Sequence, residues 1–197
     1  MSSTHIKKSL ERSLKVIEEV SKDDEIIKIL EKISIATIDT YRKDGKSMFM
    51  GNGGSAADAQ HFSAEFVSKF NFDRPGLASI SLSTDTSVLT AIANDYGYEN
   101  LFSRQVQALG KCDDILFAFS TSGTSKNVIN GLKEARRKNI KTVSFIGSND
   151  LEQMSELSDY CIKVPSKVVS VIQECHGILG HIVCDCVERE IFSNSPD

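Results

Sequence analysis

His61 and Glu65 stand four residues apart, and His181 closes the stretch Gln173-Glu174-Cys175-His176-Gly177-Ile178-Leu179-Gly180-His181. An imidazole and a carboxylate at i and i+4 lie about 40° apart on a helix, so one face can clamp a metal ion or share a proton. In the second stretch polar residues interrupt an apolar helix that includes Val168, Val169, Val171, Ile172, Ile182 and Val183, and buried polar groups need partners. Glu174 and His181, seven apart, lie nearly in line, while Gln173 and His181, eight apart, lie about 80° from each other and still share a side. Helix geometry does not choose between Gln173 and Glu174. His176 lies away from both, where a structural histidine would sit.

Two loops add to this set. Gly51-Asn52-Gly53-Gly54 followed by Ser55 reads as a tight turn between a strand and a helix, with Ser55 as the helix cap. No Gly-Lys-Ser/Thr follows and GxGxxG is not completed, so it is neither a P-loop nor a dinucleotide fingerprint. The run Ser120-Thr121-Ser122-Gly123-Thr124-Ser125 carries more information. It crowds hydroxyls between an apolar strand and a helix, where the helix N-terminus adds backbone N–H groups and partial positive charge. Such a loop suits a phosphomonoester that must enter and leave readily. Asn94-Asp95 ends a helical pattern and, by itself, reads as a cap or turn.

The elements that must position these residues alternate between strand and helix. Apolar runs at 46–50, 78–82, 114–119, 141–146 and 160–164 read as buried parallel strands. Helical patterns lie at 55–69, 85–93, 98–109, 125–138, more weakly at 151–157, and at 167–192. The expected fold is α/β: a three-layer sandwich with a five-stranded parallel sheet, flavodoxin-like, with residues 45–192 as its core. Two helices come first, within residues 1–44. One covers 5–20; the other starts at a cap, Asp23 or Asp24, and carries Ile26, Ile27, Ile29, Leu30, Ile33, Ile35 and Ile38. Their broad apolar stripes need a surface, which the sheet and a second subunit would provide. No composition shift or linker divides the chain, so residues 1–197 read as one domain.

The totals exclude several classes. The 197 residues carry a net charge of −4, which gives no reason to expect nucleic acid or an anionic membrane as partner. No apolar run is long enough to span a membrane, and the N-terminal stretch lacks the apolar segment of a secretory signal. The five cysteines, 112, 161, 175, 184 and 186, are odd in number and show no CxxC spacing, as expected of free thiols in a reducing compartment.

GNGGSAADAQHFSAE, TDTSVLTAIANDYGYENLFSRQVQALG, STSGTSKNVI and the C-terminal IQE-x-H-x4-H together resemble the bacterial phosphoheptose isomerases of the sugar isomerase (SIS) family. The resemblance covers about residues 45 to 190, with four separated motifs in the right order. It implies a cytoplasmic homotetramer that converts sedoheptulose 7-phosphate to D-glycero-D-manno-heptose 7-phosphate for lipopolysaccharide or capsule, with one zinc per subunit. Carried over position by position, it implies His61, Glu65, Gln173 and His181 as metal ligands, which favours Gln173 over Glu174. Glu65 and His181 would be the acid/base pair. Asn52, Gly53, Gly54, Ser55, Glu65, Asn94, Asp95 and Gln173 would contact substrate, with Ser120, Thr121, Ser122 and Ser125 on the phosphate.

The chain departs from the family pattern at Val171 and Lys69, where arginine is common, and at Gly147-Ser148-Asn149-Asp150-Leu151, where a glycine-rich loop is common. Lysine lacks the planar two-pronged grip of arginine, so the departures bear on sugar contacts more than on reaction class. A rival reading is a silent paralogue: a sugar-phosphate-binding module, or one that associates with a replication initiator. Retention of the whole polar set favours the enzyme.

Overall fold

In a computed structural model, residues 3–149 and 153–192 are described. The chain runs α1 (Ser3–Ser21), α2 (Asp24–Arg42), β1 (Ser47–Gly51), α3 (Gly54–Val67), β2 (Ser79–Ser81), α4 (Thr86–Tyr96), α5 (Leu101–Leu109), β3 (Ile115–Ser120), α6 (Lys126–Arg137), β4 (Lys141–Ile146), α7 (Gln153–Glu156), β5 (Tyr160–Lys163) and α8 (Val169–Phe192). The expected alternation is present. Asp23 caps α2 by accepting from the N–H groups of Glu25 and Ile26. The helix expected over 98–109 is present with a tightened start: Tyr98–Asn100 form one 3₁₀ turn that leads directly into α5, and Gly97, with φ 83°, separates this turn from α4. The first residues of the helix expected at 151–157, and the Asp150-Leu151 end of the departing loop, lie outside the described residues.

All five strands are parallel, in the order β2-β1-β3-β4-β5. Successive strand residues point to opposite faces, and both faces are buried along β1, β3 and β4, while the edge strands β2 and β5 are partly exposed. Phe49, Ile115, Phe117, Phe119, Val143 and Phe145 meet α2, α3, α8 and the end of α1 in one core. Met48, Met50, Leu116, Ala118 and Ile146 meet α5, α6 and the edge of α4 in the other.

This order determines where a ligand can go. β1 and β3 are neighbours, yet the chain leaves β1 into α3 on one face and leaves β3 into α6 on the other. The two connections diverge and open a crevice at the carboxyl ends of the strands, the switch point of a doubly wound sheet. The glycine turn and the hydroxyl loop are its two lips.

Candidate active site

Helices α3 and α8 lie side by side and run in the same direction. Gly54 faces Gln173, and Gly180 faces Phe62; a Cβ on either glycine would collide with the residue opposite. The same register brings His181 against His61. His61 Nε2 lies 3.0 Å from Glu65 Oε1 and 3.4 Å from His181 Nε2, and the three side chains offer ligand atoms all within 4.8 Å of one another. The imidazoles meet edge to face at 83°, and the His61 ring stacks on Phe62. Burial, with His61 close by, holds the pKa of His181 below the ordinary histidine value, and Glu65 pulls the other way. Two imidazoles and a carboxylate so arranged can take a divalent cation or pass a proton.

The expected residues are not all in one place. Gln173 packs against Gly54, which lies seven residues, about 10 Å of helix rise, before His61 on α3. Glu174 is exposed. Ser55 is buried but is not a cap: α3 begins one residue earlier, its cap position is Gly53 with φ 55°, and no side chain caps it. The glycine turn thus leaves the first N–H groups of α3 without a side-chain acceptor. Asn94 and Asp95 fall in the last turn of α4, exposed, with Asn94 Nδ2 donating to Asp95 Oδ1 at 2.7 Å. Asp95 faces a groove of about 430 Å³ shared with Ile80, Tyr96 and Arg104.

The hydroxyl loop is internally bonded. Ser120 and Ser125 share a hydrogen bond at 3.2 Å, Ser122 and Thr124 one at 2.9 Å, and the Gly123 N–H donates to Ser120 Oγ at 3.1 Å. Gly123 has φ 69°, the left-handed region that glycine tolerates. Ser125 occupies the cap position of α6 without bonding a first-turn N–H. The Lys126 and Asn127 N–H groups, like the Thr121 side chain on the same loop, are available to an anion, while the Val128 N–H donates to Asn127 Oδ1.

Sequence reasoning missed the parts that hold the site in place. Arg74 donates through Nε to Glu188 of α8 at 2.9 Å, and through Nη atoms to the carbonyls of Glu65 and Phe66 at 2.8 Å each. Glu188 also accepts from the Phe70 and Asn71 N–H groups. Desolvation alone would raise its pKa, but these amides and Arg74 hold it below the ordinary glutamate value. The last carbonyls of α3 are thereby bound to α8, at the end of the helix that bears Glu65. Asp58 was also missed. It lies on the Gly54–His61–Glu65 stripe, and its Oδ2 is buried without a partner among the described residues; burial pushes its pKa up to about 6, with His61 pulling it down. The i, i+3 spacing to His61 was the available signal.

With this geometry in place, likeness to known proteins becomes decisive. A family profile described as SIS domain matches residues 8–147. Over 96% of the chain, the sequence is 50% identical to phosphoheptose isomerase 2 of Campylobacter jejuni, of which it covers 94%. The chain belongs to the phosphoheptose isomerases of the SIS domain family. The phosphoheptose isomerase of Aneurinibacillus thermoaerophilus is likewise 50% identical, over 96% of each chain. The solved phosphoheptose isomerase of Neisseria gonorrhoeae is 36% identical and superposes with a TM-score of 0.87 over 94% of this chain and 97% of that one. The fold and the two preceding helices are those of this isomerase family, and the protein is an aldose–ketose isomerase. Among the described residues no helix is long and apolar enough to cross a membrane.

Proposed function

We propose that the protein interconverts sedoheptulose 7-phosphate and D-glycero-D-manno-heptose 7-phosphate. The observation that carries this is the meeting of His61, Glu65 and His181 beside a crevice whose far lip is the hydroxyl loop. Ser120, Thr121, Ser122 and Ser125, with the α6 N-terminus, hold the phosphate, and that remote contact positions the reacting carbons. Glu65 removes the proton bound to C1 or C2 and returns it to the other carbon. His181 moves a proton between the two oxygens, so the cis-enediol forms and collapses without net change in protons. A pKa below the ordinary value suits that exchange, because a neutral imidazole is available near pH 7. Asn52, Gly53, Gly54 and Ser55 line the sugar, and Gln173 joins them from its place at Gly54.

Zinc fits the donor set. Two imidazole nitrogens in a tetrahedral site, each at about 2.0–2.1 Å from the ion, stand about 3.3–3.4 Å apart; His61 and His181 present theirs at 3.4 Å. When bound, zinc polarises the carbonyl as a Lewis acid. Gln173, the fourth ligand expected from the family, lies about two turns away along α8, so its position supports the substrate contact more directly than the metal contact.

The protein acts as a cytoplasmic homotetramer in this reading. Ile6, Leu10 and Leu14 of α1 and Ile27 and Ile35 of α2 are exposed, an apolar groove of about 590 Å³ runs between α2 and α8, and α4 has no fully buried residue. Such faces suit a second copy. Asn94 and Asp95, on α4, would then serve a crevice completed between subunits.

The test is an NMR assay with sedoheptulose 7-phosphate on zinc-supplemented and chelator-treated protein, with the assembly state measured in parallel. Appearance of the aldoheptose phosphate, lost on chelation and restored by zinc, is expected. A folded tetramer that forms no aldose phosphate in either condition would overturn the assignment.

A further inference from the structure

The two lips of the crevice are tied together by a closed pair of amides. Asn52, in the glycine turn, donates through Nδ2 to Asn127 Oδ1 at 2.8 Å, and Asn127 Nδ2 donates back to Asn52 Oδ1 at 2.8 Å. Asn127 is the second residue of α6, immediately past the hydroxyl loop, and is 3% exposed. The N–H of Val128 donates to Asn127 Oδ1 at 3.0 Å. Only the oxygen of an amide can accept, so this backbone contact fixes which way Asn127 faces, and Asn127 in turn fixes Asn52. The Tyr98 hydroxyl donates to the same Asn52 Oδ1 at 2.9 Å from the rim of the crevice. The oxygen of Asn52 therefore holds two donors. One of its N–H bonds is used on Asn127, and the other has no partner among the described residues.

We propose that Asn127 and Tyr98 are positioning residues that set the polarity of Asn52, so that Asn52 meets the sugar only as a hydrogen-bond donor. This rests on the sugar-phosphate reading above. A fixed donor favours an oxygen with free lone pairs or growing negative charge, such as the reacting oxygens of an enediolate. An Asn52 turned over would present a carbonyl and repel the same oxygen. Because Asn127 belongs to the helix that receives the phosphate, the clamp also ties the placement of that donor to the phosphate end of the crevice.

The experiment uses Asn127→Leu, close in size and uncharged, and Tyr98→Phe, which removes one O–H at an exposed position. Binding of sedoheptulose 7-phosphate and of inorganic phosphate is measured by calorimetry, with kcat and melting temperature on the same samples. Asn127→Leu is expected to bind the sugar phosphate about tenfold more weakly and to lose at least as much in kcat/KM, with inorganic phosphate affinity within about twofold of the parent. Tyr98→Phe should move the same way by about threefold, and it carries the comparison if Asn127→Leu fails to fold. Equal losses for both ligands would make Asn127 a support of α6 alone and overturn the proposal. Unchanged sugar affinity and kcat in both variants would do the same. A parent protein that binds the sugar phosphate without converting it would remove the isomerase reading while the two-ligand comparison still tests the clamp. A parent that converts it while both variants behave like it would remove the clamp alone.

Discussion

Arg74 and Glu188 form an ion pair at 2.9 Å with side chains only 2% and 1% exposed. A buried pair of this kind is costly to form and more costly to break, because removing one partner leaves the other charge without compensation. Glu188→Ala should destabilise the protein by about 3–5 kcal/mol, read from denaturant unfolding. Arg74 also holds the Glu65 carbonyl, so turnover per folded molecule should fall as well. A folded variant with parental stability would show that the pair does not secure α3 to α8.

Glu65→Gln keeps the shape of the side chain but removes the carboxylate proposed as the base. Turnover should fall by about 10² or more, with inorganic phosphate binding and melting temperature nearly unchanged. Activity within a few-fold of the parent would take Glu65 out of the mechanism.

The hydroxyl loop should act on binding. Ser122→Ala combined with Ser125→Ala should raise KM about tenfold or more with a smaller change in kcat, because in the proposed cradle each hydroxyl would contact the phosphate. A collapse of kcat at fixed KM would contradict the cradle.

Gly180→Ala places a methyl group against the Phe62 ring. The cost should be about 1–3 kcal/mol of stability. His181, the next residue, should be pushed away from His61, and the variant should hold zinc more weakly in a chelator competition. Parental zinc affinity in a destabilised variant would separate packing from ligand geometry.

His176 is fully buried against Phe119 and Phe145, and its ring nitrogens make no hydrogen bond of good geometry with the described residues, the Ile146 backbone being a weak contact at most. Burial pushes its pKa down to about 4, with the Ile146 carbonyl pulling the other way. Between about pH 6.5 and 4 the unfolded chain therefore binds a proton that the folded chain refuses. Stability is full above about 6.5 and is lost as pH falls, by up to about 1.4 kcal/mol per unit. Asp58, with its pKa raised to about 6, works in the opposite sense below that pH. The clean measurement is the difference in unfolding free energy between the parent and His176→Leu. It should grow in favour of leucine as pH is lowered through this window, and a difference independent of pH would refute the account.

The layout of the chain was legible because its signals are local. Apolar runs marked the strands, the stripe Ile26 to Ile38 marked α2, and two turns after strands marked the crevice. The pairing of His61 with Glu65 was legible too, since i, i+4 spacing is a property of one helix. Contacts between helices far apart in sequence were not. Arg74 reaches Glu188 across more than a hundred residues, and Asn52 reaches Asn127 across the switch point, with no periodicity to announce either. Ser55 shows the opposite error: a serine after glycines looks like a cap, but Gly53 takes that place because its positive φ turns the chain two residues sooner.

α8 follows every strand in the sequence, and it supplies His181, Gln173 and Glu188 to a crevice whose lips come from β1 and β3. During synthesis the strands precede α8, so a nascent chain can hold His61 and Glu65 on α3 while it still lacks His181, the third member of the triad. Catalysis would therefore begin only when the last helix docks, and the appearance of activity would time the final step of folding more sharply than any measure of helix or sheet content.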